Sequence, residues 1–111
     1  MSFLDDPAAP PARVVELRDE EVGLDAFVVI DHELFPKSAG GTRMIPDVTV
    51  EEVSRLARAM TWKFAVASVP YAGAKAGVRF AGGDRDAILG AFLDRVETWR
   101  EVFLTGPDRC I

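Results

Sequence analysis

The sequence is short of the residues from which metal centres and disulfide frameworks are built: among 111 residues it has one cysteine, Cys110, and one histidine, His32. A single cysteine excludes an intrachain disulfide and a four-cysteine zinc site, and with one histidine no metal centre is expected. Long apolar runs are also missing. The longest, Ala26 to Ile30, falls far short of the roughly 20 residues that a bilayer-crossing helix needs. Nor is there an excess of positive charge: 13 Lys and Arg face 18 Asp and Glu, for a net charge of -5. Neither nucleic acid nor an anionic membrane surface would attract such a chain, so the expected partner is a small molecule or another protein. The start, "MSFLDDPAAPPAR", has acid and proline where a signal peptide has a basic end and an apolar stretch, and a cytoplasmic location is expected.

What is present has the balance of a folded domain, with 49% hydrophobic and 28% charged residues in a length that suits one core. Residues 1–12, rich in proline and alanine, read as a flexible arm before a domain over 13–111. "RVVELR" and "LDAFVVID" are strand signals joined by a short polar stretch with a glycine, which predicts a hairpin. "PKSAGG" is loop chemistry, and "TRMI" a short strand that stops at Pro46. Thr49 followed by Glu52 has the form of a capping box and predicts a helix start. Val53, Leu56, Ala57, Met60 and Phe64 then recur at helical steps as a core face, leaving Glu51, Arg55 and Arg58 toward water.

Pro70 and Gly73 bound a predicted turn, and "AGVRF" reads as a buried strand. A second helix is expected with a stripe of Ile88, Leu89, Phe92, Leu93, Val96 and Trp99, its start favoured by Asp84 or Asp86. "VFLT" is the last strand. Helices alternating with strands give an α/β fold of a single domain: a mixed β-sheet, with an antiparallel hairpin at one side and crossover-linked strands at the other, and helices packed on it.

The chemistry centres on "MTWKFAVASVPYAGAKAGV", Met60 to Val78, where Lys63 and Lys75 lie either side of a turn and 12 positions apart. Lys63 also suits a cation at a helix C-terminus. Lys75 stands among alanines and glycines that let a backbone or ligand approach closely. Two lysines brought together in a partly dry pocket lower one another's pKa, so that one can act as a base while the other holds a carboxylate. His32 beside Asp31 reads as an exposed strand-end histidine rather than an acid–base pair, Trp62 and Trp99 as packing or interface residues, and Cys110 as a thiol with little to activate it.

The stretches "GGTRMIP" (40–46), "VTVEEVSRLARAMTWKFAV" (48–66) and "PYAGAKAGV" (70–78), with "AFVVID" upstream and "FLTGPD" downstream, resemble the N-terminal domain of the glutamate, leucine, phenylalanine and valine dehydrogenases. The resemblance implies that Lys63 binds the substrate α-carboxylate, that Lys75 activates a water, and that Asp108 moves protons at the substrate amine. It implies oxidative deamination with hydride passing to NAD or NADP. It places Gly40 and Gly41 beside the substrate, with Ala39 and Met60 lining its side-chain pocket. Glutamate-specific members carry a lysine at the position of Ala39, so an apolar amino acid is expected.

Two departures qualify the likeness. Ala72 and Ala76 replace glycines that flank the family's catalytic lysine, and a methyl at Ala72 would crowd the substrate if φ there were positive. After Asp108 only Arg109, Cys110 and Ile111 follow, and no G-x-G-x-x-G stretch occurs, so no cofactor is expected on this chain. The implied partners are a second copy in a homodimer, an amino acid, and a separate Rossmann-domain chain. The alternative is a non-catalytic stand-alone binding or dimerisation module.

Overall fold

The computed structural model describes residues 9–105. The predicted hairpin forms from β1 (Arg13–Asp19) and β2 (Leu24–Ile30), antiparallel in a register that pairs Arg13 with Ile30 and Asp19 with Leu24. Three short strands and a long one follow: β3 (Ser38–Gly40), β4 (Thr42–Ile45), β5 (Ala72–Arg79) and β6 (Phe103–Thr105). Helix α1 (Val50–Val66) connects β4 to β5, and α2 (Arg85–Glu97) connects β5 to β6. The sheet runs β1-β2-β5-β3-β6, with β4 also paired to β5. The β1–β2 and β2–β5 pairs are antiparallel and the rest parallel, so the sheet is mixed as expected.

Alternation along β2 separates two cores. Ala26, Val28 and Ile30 face α2, joining Ala74, Ala76, Val78, Ile88, Phe92 and Val96, while Phe27 and Val29 face α1 with Val53 and Ala57. The helices therefore lie on opposite faces of the sheet, and β2 is apolar throughout because both its faces are covered. In α2 the stripe includes Ile88, Phe92 and Val96, but Leu93 is exposed. Leu93 lies about 100° round the helix from Phe92, the centre of the buried stripe, on a flank turned away from the sheet.

Strand β3 lies inside the segment expected to be loop. Ser38 and Ala39 pair with Ala72 and Gly73 on one side, and Ser38 to Gly40 pair with Phe103 to Thr105 on the other. A segment flanked on both sides is held extended by its neighbours whatever its own propensity. Beyond it the chain breaks step and resumes as β4 along the same edge of β5, pairing Thr42 with Ala76 and Ile45 with Arg79. Gly40 ends β3, and Gly41 stands in the break. A Cβ on Gly40 would stand 1.6 Å from the Ala74 carbonyl oxygen, so only glycine lets the two backbones pass.

Both helix starts use the residues expected. Thr49 Oγ1 accepts from Glu52 N–H (3.1 Å), and Asp84 Oδ1 accepts from Ala87 N–H (3.1 Å). The Glu52 carboxylate does not turn back to the cap, however; it pairs with Arg43 of β4 at 2.7 Å. At the other end of α1, Ser68 N–H donates to Ala65 O and Val69 N–H to Phe64 O, a Schellman closure with Ser68 at φ 59°. The αL conformation carries a steric penalty in any residue with a Cβ. Ser68→Gly is therefore expected to stabilise the domain by about 0.5–1 kcal/mol, the relief exceeding the added freedom of the unfolded chain, as read from denaturant midpoints.

Candidate functional site

Strand β5 begins earlier than its sequence suggests, at Ala72, so Gly73 lies in the strand and not in a turn. Gly73 faces α1, since a Cβ there would meet Ala57 O at 2.0 Å and Thr61 N at 2.4 Å. Lys75, two positions on, shares that face, is half-buried, and pairs across the ladder with Val29. Gly77 completes the row beneath the Phe27 ring, over which the Arg79 guanidinium lies at 4.8 Å.

The β3–β4 break stands level with Lys75. Ala39 pairs with Gly73, Gly40 rests on the Ala74 carbonyl, and Gly41 O accepts from Ala76 N–H at 2.9 Å. Four of the expected site residues, Ala39, Gly40, Gly41 and Lys75, thus gather around one short stretch of β5. The absence of a side chain at Gly40 has its own cause in the β5 backbone. Met60, half-buried, and Lys63, exposed in the last turn, belong to α1, the helix over that face. Asp108 and Cys110 lie outside the described residues. Among the described non-glycine residues only Ser68 has positive φ, so the methyl of Ala72 sits in ordinary extended backbone, fully buried.

Beside this stretch is a polar junction that the sequence pattern does not announce. Asp31, just past β2, is buried, and both its carboxylate oxygens accept from Arg58 Nε–H (2.9 and 2.8 Å). Thr61 Oγ1–H donates to Asp31 Oδ2 (2.7 Å) and itself accepts from Gly73 N–H (2.9 Å). Asp31 N–H closes the circuit on Gly73 O at 2.9 Å. Arg58, expected to face water, is buried because its helix flank meets this carboxylate. The available signal was the Arg58–Thr61 spacing, which places both on one helical flank.

His32 is likewise buried, against the expectation of an exposed side chain. The chain turns back after β2, so that Leu34 N–H donates to His32 Nδ1 (3.1 Å) and the Phe35 ring meets the imidazole edge-on at 5.7 Å. Accepting that bond requires a lone pair on Nδ1, which leaves the ring proton on Nε2 of the neutral form. Burial pushes the imidazole pKa below 6.5; the Asp31 carboxylate opposes this and the Arg58 guanidinium adds to it. A mostly apolar cavity of about 340 Å³ opens beside His32 and Thr61, walled by Phe35, Phe64, Val69 and Tyr71.

The two helix N-termini do not fit a dinucleotide. The β4–α1 turn, Pro46 to Thr49, has no glycine, and α1 carries Glu51 and Glu52 in its first turn. The β5–α2 turn has Gly82 and Gly83, but the Asp84 carboxylate occupies the helix start and Asp86 follows it. Carboxylates at these ends repel a pyrophosphate where a nucleotide site would offer bare N–H groups.

A mixed sheet between two helices is the architecture that this chain shares with solved amino-acid dehydrogenases. L-Tryptophan dehydrogenase from Nostoc punctiforme superposes with a TM-score of 0.79 at 25% identity, over 97% of this chain and 33% of that one. Hetero-hexameric glutamate dehydrogenase from Thermus thermophilus, in a leucine-bound form, shares the fold with a TM-score of 0.71 at 24% identity, over 97% and 29%. Residues 11–88 match the model of the Glu/Leu/Phe/Val dehydrogenase dimerisation domain, and the chain belongs to that family. Phenylalanine dehydrogenase of Lysinibacillus sphaericus is 35% identical over 103 residues, 86% of this chain and 27% of that protein. Glutamate dehydrogenase of Thermotoga maritima is 58% identical over 40 residues, 36% of this chain and 10% of that protein. The resemblance read from the motifs is thereby established, and the chain spans a third or less of the lengths of these relatives.

Two outcomes follow from the junction. Asp31→Ala leaves a buried guanidinium without its counter-charge, and a loss of about 3–5 kcal/mol is expected in urea denaturation. His32 binds its proton less readily in the folded state than in the unfolded chain. Its contribution to stability is therefore complete above about pH 6.5 and is lost as pH falls through the lowered folded pKa. Stability of His32→Gln, measured between about pH 5 and 8, should show a shallower decline on acidification than the parent.

Proposed function

We propose that this chain is the substrate-binding and dimerisation half of an NAD(P)-dependent amino-acid dehydrogenase, acting in amino-acid metabolism on an apolar L-amino acid to give the 2-oxo acid. In this reading it is a cytoplasmic homodimer, and NAD or NADP is held by a nucleotide-binding domain on another chain. The observation that carries it is the position of Lys75: half-buried on the α1 face of β5, level with Gly40 and Gly41. Among the described residues no helix is long and apolar enough to cross a membrane.

Lys63 holds the substrate α-carboxylate by a charge-assisted hydrogen bond. Lys75 takes a proton from the water that attacks the imino carbon, and Asp108 handles protons at the leaving amine. Ala39 and Met60 bound the side-chain pocket. A methyl at position 39 offers no charge to a substrate carboxylate, which favours an apolar side chain over glutamate.

The reading is tested by mixing the chain with a separately expressed nucleotide domain and following NADH formation from L-phenylalanine, L-leucine and L-glutamate. Turnover of the apolar substrates is expected, with Lys75→Ala lowering kcat by about 10²–10⁴ and Lys63→Ala acting chiefly on KM. A preference for L-glutamate would overturn the substrate assignment. Amino-acid binding without turnover in any pairing would replace the whole reading with that of a non-catalytic binding and dimerisation module.

A further inference from the structure

The junction of Asp31, Arg58, Thr61 and Gly73 bears on both lysines through the elements that carry them. Thr61 precedes Lys63 by two positions on α1, and Gly73 precedes Lys75 by two positions on β5. The Thr61 hydroxyl is the link between those two elements: it accepts from the Gly73 N–H and donates to Asp31. The two backbones approach closely there, because Gly73 has no side chain to separate the strand from Ala57 O and Thr61 N, and the short Thr61 side chain alone spans the gap.

A buried ion pair is a poor means of adding stability, since well-packed apolar residues of similar volume are often as good or better. What it supplies is geometry, because each donor and acceptor is matched at one relative position of the elements and left unmatched at others. Here the circuit has five hydrogen bonds with no slack, from 2.7 to 2.9 Å. A displacement of α1 along the sheet by one residue rise, about 1.5 Å, would break the Thr61 and Arg58 bonds together.

We propose that Asp31, Arg58 and Thr61 are positioning residues that lock α1 to β5 and so set the spacing of Lys63 and Lys75. The inference rests on the substrate roles of the two lysines given above. It assigns to the junction the pre-organisation of the site, by which a carboxylate holder and a base borne on different elements are kept in one relative geometry.

The test compares Thr61→Val, which keeps the shape and removes the hydroxyl, with Thr61→Ser, which keeps the hydroxyl, and with Val53→Ala, which weakens α1 packing away from the junction. Amide hydrogen exchange of the intact chain reads the lock directly. Thr61→Val is expected to speed exchange by roughly tenfold or more at Gly73 to Lys75 and in the last turn of α1, with Thr61→Ser restoring protection. L-Phenylalanine titration by calorimetry reads the consequence, a roughly tenfold loss of affinity in Thr61→Val that Thr61→Ser recovers and folded Val53→Ala does not share. Unchanged exchange at Lys75 in Thr61→Val, or equal effects of Val53→Ala on both readouts, would overturn the proposal. Failure of the parent chain to bind L-phenylalanine counts against the proposed function, and the exchange pattern then decides the lock on its own.

Discussion

A carboxylate withdrawn from water must be matched where it stands, and the architecture of this domain is arranged around one such group, that of Asp31. Strand β2 delivers it into the layer between sheet and helix. Helix α1 supplies a guanidinium and a hydroxyl from one flank, at Arg58 and Thr61. The first residues of β5 complete the set through the backbone of Gly73. Three elements far apart in the chain are brought to a single point, and the course of α1 over the sheet follows from it.

The close approach of α1 in turn dictates the character of β5. Gly73 has room for nothing larger beneath the helix, Gly77 lies under Phe27, and Ala74 has the Gly40 backbone at its side. Lys75 is the exception, a long side chain in a row of glycines and alanines. Its neighbours on the same face of β5 are the two glycines, over which α1 and the Phe27 ring close. The run of small residues thus has a structural origin in the surfaces packed on β5.

Much of this was legible in sequence, and the parts that were not share one physical reason. The hairpin, both helices and their caps, and the mixed sheet are written in local signals: alternation in "AFVVI", the Thr49–Glu52 and Asp84 starts, helical spacing from Val53 to Phe64. Short motifs single out Lys63, Lys75 and the glycine pair, and the structure sets Lys75 beside that pair. By contrast β3 sits in "PKSAGG", where local chemistry says loop and only strands elsewhere in the chain hold it straight. Arg58 reads as a solvated charge until Asp31, 27 positions away, is seen to meet it. His32 is covered by the turn that follows it, through Leu34 and Phe35. In each case a polar or loop-forming residue is held by contacts that periodicity does not record: flanking strands for β3, Asp31 for Arg58, and the turn at Leu34 and Phe35 for His32.

Strand β5 also constrains how sequences of this kind can drift. At Gly73 and Gly77 the side chain is already at its minimum, so random substitution can only enlarge it, and each enlargement meets the backbone of α1 or the ring of Phe27. Compensation cannot arise within the strand. It would have to come from the opposing surfaces, through a smaller residue than Phe27 or a helix set further from the sheet, and the second route runs against the Asp31 junction. Substitutions in β5 should accordingly be accepted rarely and in company with changes on β2 or α1, giving correlated replacement across the sheet and helix rather than independent variation along the strand.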